Sequence, residues 1–345
     1  MRIGQNPAKM GFPAYRPKRL GIAVLSFIPS QEGYFAQSLE IFKYQIASIH
    51  RSTKEFDLLV FDNGSCAKVQ DELHELLRVG LIQALVLSAF NLGKTGVLNW
   101  ILSALPNEMI GFADGDVLFR PGWLEETEHI YSVFPNAGLV TAQPCLFDIL
   151  RGTGRAHELL RHDPRYRCYK GLLTPEAAEE YSRGIGREVD PTETLEKSQV
   201  DFVEERSSGL QAVIGASHMQ FVLRRETARR LVPLPASYAL NRDEDSCLNR
   251  SIDQLGLLHL STPVPFVYHM GNRLDEHTVD EVRRMGLDEI LENGPVLRTS
   301  SNQEMASPPK RYAIRILAQL AHIPILDKAF RRLYNFLFEY YAQVK

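Results

Sequence analysis

The chain has 345 residues, 44% of them apolar and 23% charged, with a formal net charge of -3. These values exclude a disordered chain and give no overall positive field for nucleic acid. They make one large domain with added segments the natural organisation. The four cysteines, Cys66, Cys145, Cys168 and Cys247, form no C-x-x-C pair. That argues against zinc ribbons and dithiol redox chemistry and suits reduced thiols in the cytosol. Residues 1–18 are basic without an apolar stretch, unlike a secretory signal. No apolar run is long enough for a membrane-spanning helix, so any role at a membrane is expected from the cytoplasmic surface.

The first 145 residues alternate between two periodicities. Leu20 to Phe27 is an apolar run ending at Pro29 and Ser30, and residues 31–49 carry Leu39, Phe42, Ile46 and Ile49 at helical spacing. Phe56 to Phe61 is a second strand, stopped by Asp62, Asn63 and Gly64. A helix over 69–78, a strand over 82–87 and a helix over 95–105 follow. Met109 to Ala113 is a fourth strand, closed by Asp114, Gly115 and Asp116, and residues 138–142 read as a fifth. This alternation predicts an α/β fold with a mostly parallel central sheet and helices on both faces. Ligands of such sheets sit at the carboxyl ends of the strands, where Asp62, Asn91, Lys94, Asp114 and Asp116 cluster.

Residues 147–209 are rich in Arg, Glu, Tyr and Gly with poor periodicity, and read as an insertion or an acceptor-facing region. Regular pattern resumes with a strand over 219–223, a helix over 243–255 and a strand over 264–268. Residues 310–345 are basic and amphipathic, divided by Pro324. They either pack on the domain as a helical pair or lie on an anionic membrane surface.

Ala113-Asp114-Gly115-Asp116-Val117 is the central signal. Two carboxylates one residue apart, straight after a buried strand, make a corner for a divalent cation whose shell is completed by phosphate oxygens and water. Such a cation offsets charge on a departing diphosphate. Asp62, in Asp62-Asn63-Gly64-Ser65, is either an acceptor for a base or ribose or part of a turn. Residues 91–96, Asn-Leu-Gly-Lys-Thr-Gly, fail the P-loop pattern because Ser88 stands where a glycine is required. A glycine turn opening a helix can still face phosphate, with Lys94 adding charge. Asp243, Glu244 and Asp245 precede a helix, serving either its dipole or as a general base. His269 follows an apolar run and becomes a metal ligand if it lies near Asp116.

The order of these features resembles the family 2 glycosyltransferases, over roughly 19–142 and 213–272. The features are an early Pro after the first strand, an Asp after the second, an Asn-x-Gly helix start and D-x-D after the fourth strand. A Gly-Ala loop, an acidic pair and a late His complete them. The resemblance implies a single Rossmann-like domain of the glycosyltransferase A type over 19–275, with residues 1–18 preceding it and a helical extension over 276–345. It implies that Phe27 and Pro29 line the base pocket and that Asp62 holds the nucleoside. Asn91, Gly93 and Asn99 would lie beside the donor, with Asp114 on ribose or sugar and Gly215 and Ala216 near the transferred sugar. Asp116 and His269 would hold manganese or magnesium, and Asp245, or the adjacent Glu244, would act as base. The family often has a further acidic residue shortly after this pair, where Ser246 and Cys247 stand here.

The activity implied is transfer of a sugar, with inversion, from a nucleotide-diphosphate-sugar donor, UDP favoured, to a hydroxyl of a saccharide or lipid-linked acceptor. Polysaccharide or glycolipid assembly at the cytoplasmic face is the expected setting, with peripheral membrane contact through 310–345 and no nucleic-acid partner. One rival is a non-catalytic nucleotide-sugar-binding relative, which has no use for both Asp116 and an acidic pair. The other, a sugar nucleotidyltransferase, needs a Gly-rich turn after the first strand, where Phe27-Ile28-Pro29-Ser30-Gln31 stands.

Overall fold

A computed structural model describes residues 15–145, 154–184, 186, 199–235 and 244–294, without the side chains of 154 and 244–246. The amphipathic segment 310–345 lies outside the described residues. The first half runs β1 (Leu20–Ser26), α1 (Ser38–Ser52), β2 (Phe56–Asp62), α2 (Ala67–Arg78), β3 (Ala84–Leu87), α3 (Gly93–Ala104) and β4 (Met109–Ala113). The four strands are parallel, in the spatial order β3-β2-β1-β4. Chain order reverses between β1 and β4, and this reversal opens the crevice where ligands of doubly wound sheets sit. Helices cover both faces, so β4 is buried throughout and reads as an unbroken apolar run.

The second half adds β5 (Val117–Phe119), α4 (Trp123–Val133), β6 (Ala137–Thr141), α5 (Gly154–His162), β7 (Tyr166–Leu172) and α6 (Pro175–Gly184). Then come β8 (Gln199–Glu205), β9 (Gln211–Ile214), β10 (Gln220–Arg224), α7 (Arg225–Leu231) and α8 (Glu244–Gln254). β11 (Leu258–Ser261), β12 (Val267–His269), α9 (Glu276–Met285) and α10 (Leu287–Asn293) complete the described chain. Ten strands form one sheet, in the order β3-β2-β1-β4-β10-β6-β11-β9-β8-β7, and β12 pairs with β5 in a separate ribbon. Among the described strands of the large sheet, β10, β9 and β7 run against the others. The α/β class and the mostly parallel Rossmann-like sheet are therefore as the sequence predicts.

Two packing features position the crevice. Phe112 on β4 lies opposite Phe221 on β10, and the rings stack with centroids 5.1 Å apart. Such a cross-strand pair contributes roughly 0.5–1.5 kcal/mol beyond burial, and it fixes β10 in the register that places the Met219 carbonyl 2.8 Å from the Asp114 N–H. Beneath the crevice, α1 buries Phe42, Ile46 and Ile49, as its spacing predicts, and Ile41, Gln45 and Ser48 besides, while Leu39 is half-buried.

The stretch 147–209 is more ordered than its composition suggests. Its described residues include α5, β7, α6 and β8, and β7 and β8 pair antiparallel over seven residues each. Val200 and Phe202 pack beneath Leu173, Ala177, Ala178 and Tyr181, while Val203 joins the main core. Beyond 275 the fold continues. Val282, Met285 and Leu287 pack with Ile41, Ala47, Leu118, Tyr268 and Met270.

Candidate functional site

The carboxyl ends of β1 and β2 are stapled together before any ligand enters. The Ile28 N–H donates to Ser65 Oγ (2.9 Å), and the Asn63 N–H donates to the Ser26 carbonyl (2.8 Å). Asp62 is fully buried. Its Oδ2 accepts from the Ser65 N–H (3.1 Å) and Gln70 Nε2 (3.2 Å), and its Oδ1 is buried without a partner. Gly64 turns at φ 93°, and a Cβ there would lie 3.2 Å from the Phe90 backbone carbon, so the turn is closed against the next loop. That loop is clamped by two asparagines. Asn63 Nδ2 donates to Asn91 Oδ1 (2.9 Å), which also accepts the Gly93 N–H (2.8 Å), while Asn63 Oδ1 accepts the Leu92 N–H (2.8 Å).

The Asp-Gly-Asp corner leaves β4 at the mouth of the crevice. Lys94 Nζ lies 2.6 Å from Asp114 Oδ2, in a pair that is 10% and 24% exposed, and 5.3 Å from the Phe112 ring. Gln45 Nε2 donates to the Asp114 carbonyl (2.6 Å), and Ser48 Oγ accepts the Phe119 N–H (3.0 Å). Sequence reasoning missed these two polar residues of α1. Their signal was a Gln and a Ser set within an otherwise apolar stripe. Gly115 sits where a side chain has no room. A Cβ there would stand 2.8 Å from the Leu25 carbonyl oxygen and 3.4 Å from the Phe42 ring.

Asp116 and His269 lie far apart in sequence and are brought together by the β5–β12 ribbon, in which His269 is opposite Val117. His269 Nε2 is 3.3 Å from Asp116 Oδ2, and the Met270 N–H donates to the Asp116 carbonyl (2.8 Å). The other imidazole nitrogen, Nδ1, meets the Gly184 carbonyl at the end of α6. A carbonyl only accepts, so Nδ1 carries a proton and Nε2 is the nitrogen turned toward the carboxylate. At that distance either a proton on Nε2 or a shared cation satisfies both groups. Asp116 Oδ1 is buried with no partner. Burial raises the Asp116 carboxyl above the usual carboxylate range, with Asp114 adding to the rise, against the lowering charges of His269 and Lys94.

A cavity of about 230 Å³ opens over this pair, lined by Phe27, Tyr34, Phe35, Asp114, Asp116 and Asn272, among others. Phe27 and Tyr34 are 38% and 69% exposed, and both rings meet Phe35 edge-on. Asn272 Nδ2 donates to the Tyr34 carbonyl (3.0 Å) and ties the aromatic wall to the strand-end loop. The structure thus gathers Phe27, Asp114, Asp116 and His269 in one cavity. Pro29 is exposed beyond its lining. Gly215 adopts φ 132°, a conformation that favours glycine, and Ala216 is buried beside it. Asn99 is spent elsewhere: its side chain donates to the Leu234 carbonyl (2.9 Å) and accepts the Leu234 N–H (2.6 Å). The backbone of Glu244 and Asp245 opens α8, but their side chains lie outside the described residues.

A larger cavity, about 820 Å³, lies at the other end of the β5–β12 ribbon beside Arg120. Glu180, His277 and Glu281 converge there closely enough to share a cation. Both carboxylates are already met by arginine: Arg120 Nη1 donates to Glu180 (3.0 Å), Arg120 Nη2 to Glu281 (3.1 Å), and Arg284 also to Glu281. A cation would have to displace a guanidinium, so the donor pair with an orphaned acceptor, Asp116 and His269, is the stronger centre.

No protein-family model and no curated protein matches the chain. Among solved structures, it is similar to the mannosyltransferase PcManGT from Pyrobaculum calidifontis in complex with GDP-Man and Mn2+. The identity is 16%, the TM-score 0.45, and the match covers 79% of this chain and 62% of that one, under two thirds of its length. It is also similar to S. aureus TarS 1-349, at 10% identity and TM-score 0.44, over 83% of this chain and 76% of that one. TarS 1-349 in complex with UDP-GlcNAc matches at 11% identity and TM-score 0.41, over 79% and 66%. Likenesses this distant carry no functional argument, and the assignment below rests on the site itself.

Proposed function

We propose that the chain is a cation-dependent glycosyltransferase that takes a sugar from a nucleotide-diphosphate donor, UDP favoured, and transfers it with inversion to a hydroxyl acceptor. One observation carries the reading: His269 Nε2 lies 3.3 Å from Asp116 Oδ2, beside the orphaned Oδ1, at the strand-order reversal of an α/β sheet. A carboxylate and an imidazole are donors that suit divalent transition metals, and the imidazole favours manganese over magnesium. When bound, such a cation supplies positive charge against the diphosphate as it leaves.

The chain's own groups have separate tasks in this proposal. Asp116 and His269 hold the cation, and the Gly184 carbonyl keeps the imidazole proton on Nδ1. Lys94 steadies Asp114, whose carboxylate lies in the cavity wall for the ribose or sugar. Phe27 offers an exposed ring to the base, with Pro29 beyond it. Asn63, Asn91 and Gly93 shape the loop beside the donor, and Gly215 and Ala216 stand near the transferred sugar. Asp245, or Glu244, takes the acceptor proton. The acceptor oxygen then bonds to the anomeric carbon as the carbon–oxygen bond to the diphosphate breaks. Polysaccharide or glycolipid assembly is the proposed setting, with the acceptor a saccharide or a lipid-linked one.

The test is a thermal-shift panel of nucleotide diphosphates and nucleotide-sugars, with and without Mn2+, on wild type and Asp116→Asn. A ligand bound only by the native state raises the melting temperature. Mn2+-dependent stabilisation by one nucleotide series, lost in Asp116→Asn, is the expected result. Stabilisation without turnover of any donor would make the chain a binding relative, and no shift with any nucleotide would sink the proposal.

A further inference from the structure

α6 joins both ends of the β5–β12 ribbon. At one end its last residue, Gly184, places its carbonyl on His269 Nδ1. At the other, Glu180, one helical turn earlier, takes both guanidinium nitrogens of Arg120, the residue that follows β5. Arg120 is itself fixed to β12's approach, its N–H donating to the Phe266 carbonyl (2.9 Å). A closed ring results: Asp116, β5, Arg120, Glu180, α6, Gly184, His269 and back to Asp116. The apolar packing of α6 is against β8 and β9, through Ala177, Ala178 and Tyr181. Toward the ribbon α6 makes polar contacts: the Arg120–Glu180 pair at the end of β5 and the Gly184 carbonyl on β12, with Glu180 also meeting His277 of α9 (3.2 Å). The Gly184 approach is tight, since a Cβ there would stand 3.0 Å from the His269 Cβ.

We propose that Arg120 and Glu180 are positioning residues for His269: their ion pair holds α6 so that the Gly184 carbonyl fixes the imidazole proton on Nδ1 and leaves Nε2 facing Asp116. The placement of the imidazole follows from these contacts, and its use by a cation rests on the function proposed above. Glu281 serves as the internal comparison. It accepts from the same Arg120 nitrogen but belongs to α9, so its loss weakens the charge cluster without releasing α6 from Arg120.

The experiment uses the full chain with histidine-selective 15N labelling at a pH where His269 is neutral, assigning its signals by their loss in His269→Gln. Wild type, Glu180→Gln, Glu281→Gln and Gly184→Ala are compared by 15N tautomer shifts, by Mn2+ titration, and by melting temperature without metal. Wild type should show the Nδ1–H tautomer. Glu180→Gln and Gly184→Ala should show a mixture and bind Mn2+ roughly 10–100-fold more weakly, the range seen when an outer-shell partner is lost. Glu281→Gln should keep the wild-type tautomer and affinity even if it melts earlier. An unchanged tautomer in Glu180→Gln would overturn the positioning role, as would an equal change in Glu281→Gln, which would mark a merely structural cluster. A wild type that shows the Nδ1–H tautomer but binds no Mn2+ would leave the positioning role supported and overturn the cation reading instead.

Discussion

His259 offers a test that needs no ligand. It lies on β11, fully buried, and neither ring nitrogen has a hydrogen-bond partner. Burial pushes its pKa down from 6.5 to about 4. The folded chain therefore binds fewer protons at this site than the unfolded chain between those values, so stability there rises with pH. The contribution is complete above the unfolded value, falls as pH drops through the window, and levels off below the folded value. One pKa unit corresponds to about 1.4 kcal/mol, which makes the whole loss about 3 kcal/mol. Between pH 7.5 and pH 5 the linkage relation gives about 2 kcal/mol. His259→Leu, of similar volume, should remove that acid slope and leave stability at pH 7.5 equal to wild type or higher, because two unpaired nitrogens are gone. Urea unfolding at four pH values, read as midpoints at constant m, measures it. Wild-type and variant midpoints that fall in parallel from pH 7.5 to pH 5 would refute the reasoning and mean that the imidazole is hydrogen-bonded.

Three further outcomes are expected. Gly115→Ala puts a methyl 2.8 Å from the Leu25 carbonyl oxygen, and should destabilise by about 1–3 kcal/mol while weakening Mn2+ binding. Urea midpoints and a Mn2+ titration would show both, and a neutral result would mean that the β1–β4 crevice yields easily. Asn99→Ala loses two hydrogen bonds to Leu234, and should cost roughly 1–3 kcal/mol with little change in nucleotide affinity; a selective loss of nucleotide binding would instead place Asn99 against the donor. Tyr131→Phe removes the hydroxyl that donates to the Val222 carbonyl at 2.7 Å in the core. Its expected cost is about 1–2 kcal/mol, measured by urea unfolding, with Mn2+ affinity intact.

The β1–β4 half was legible because β1, β2 and β3 are each a local apolar run followed by a helix, and the apolar run Met109 to Ala113 coincides with β4. Of the added strands, β6 and β10 were legible at 138–142 and 219–223, but β5, β7, β8, β9 and β11 were not. β5 spans only three residues, and the four-residue β11 alternates its two leucines with a buried His and Ser. β7 and β8 alternate weakly because β8 buries Val200 and Phe202 on one side and Val203 on the other. At the site, Asp114 and Asp116 stood out by position, whereas the roles of Gln45, Ser48 and Gly184 depend on which helix crosses which strand. Spacing along the chain does not encode that. The same holds for Asn91 and Asn99, whose side chains are engaged by the backbone of Gly93 and of Leu234.

The topology also bears on how the protein is made. β6 ends at Thr141, and its neighbours in the sheet are β10, which begins at Gln220, and β11, which begins at Leu258. During synthesis the apolar strand from Ala137 to Thr141 emerges with no partner for some eighty residues, roughly 4–16 s at usual elongation rates. Over that interval the β1–β4 half can already pair, while the future centre of the sheet waits uncovered. We expect nascent chains arrested before residue 220 to be cleaved near β6 far faster than chains arrested past 294; equal cleavage would show that β6 finds shelter early. A fold that places its late strands in the middle makes its own second half the cover for its first, and leaves the incomplete chain dependent on whatever shields exposed β-strands in the cell.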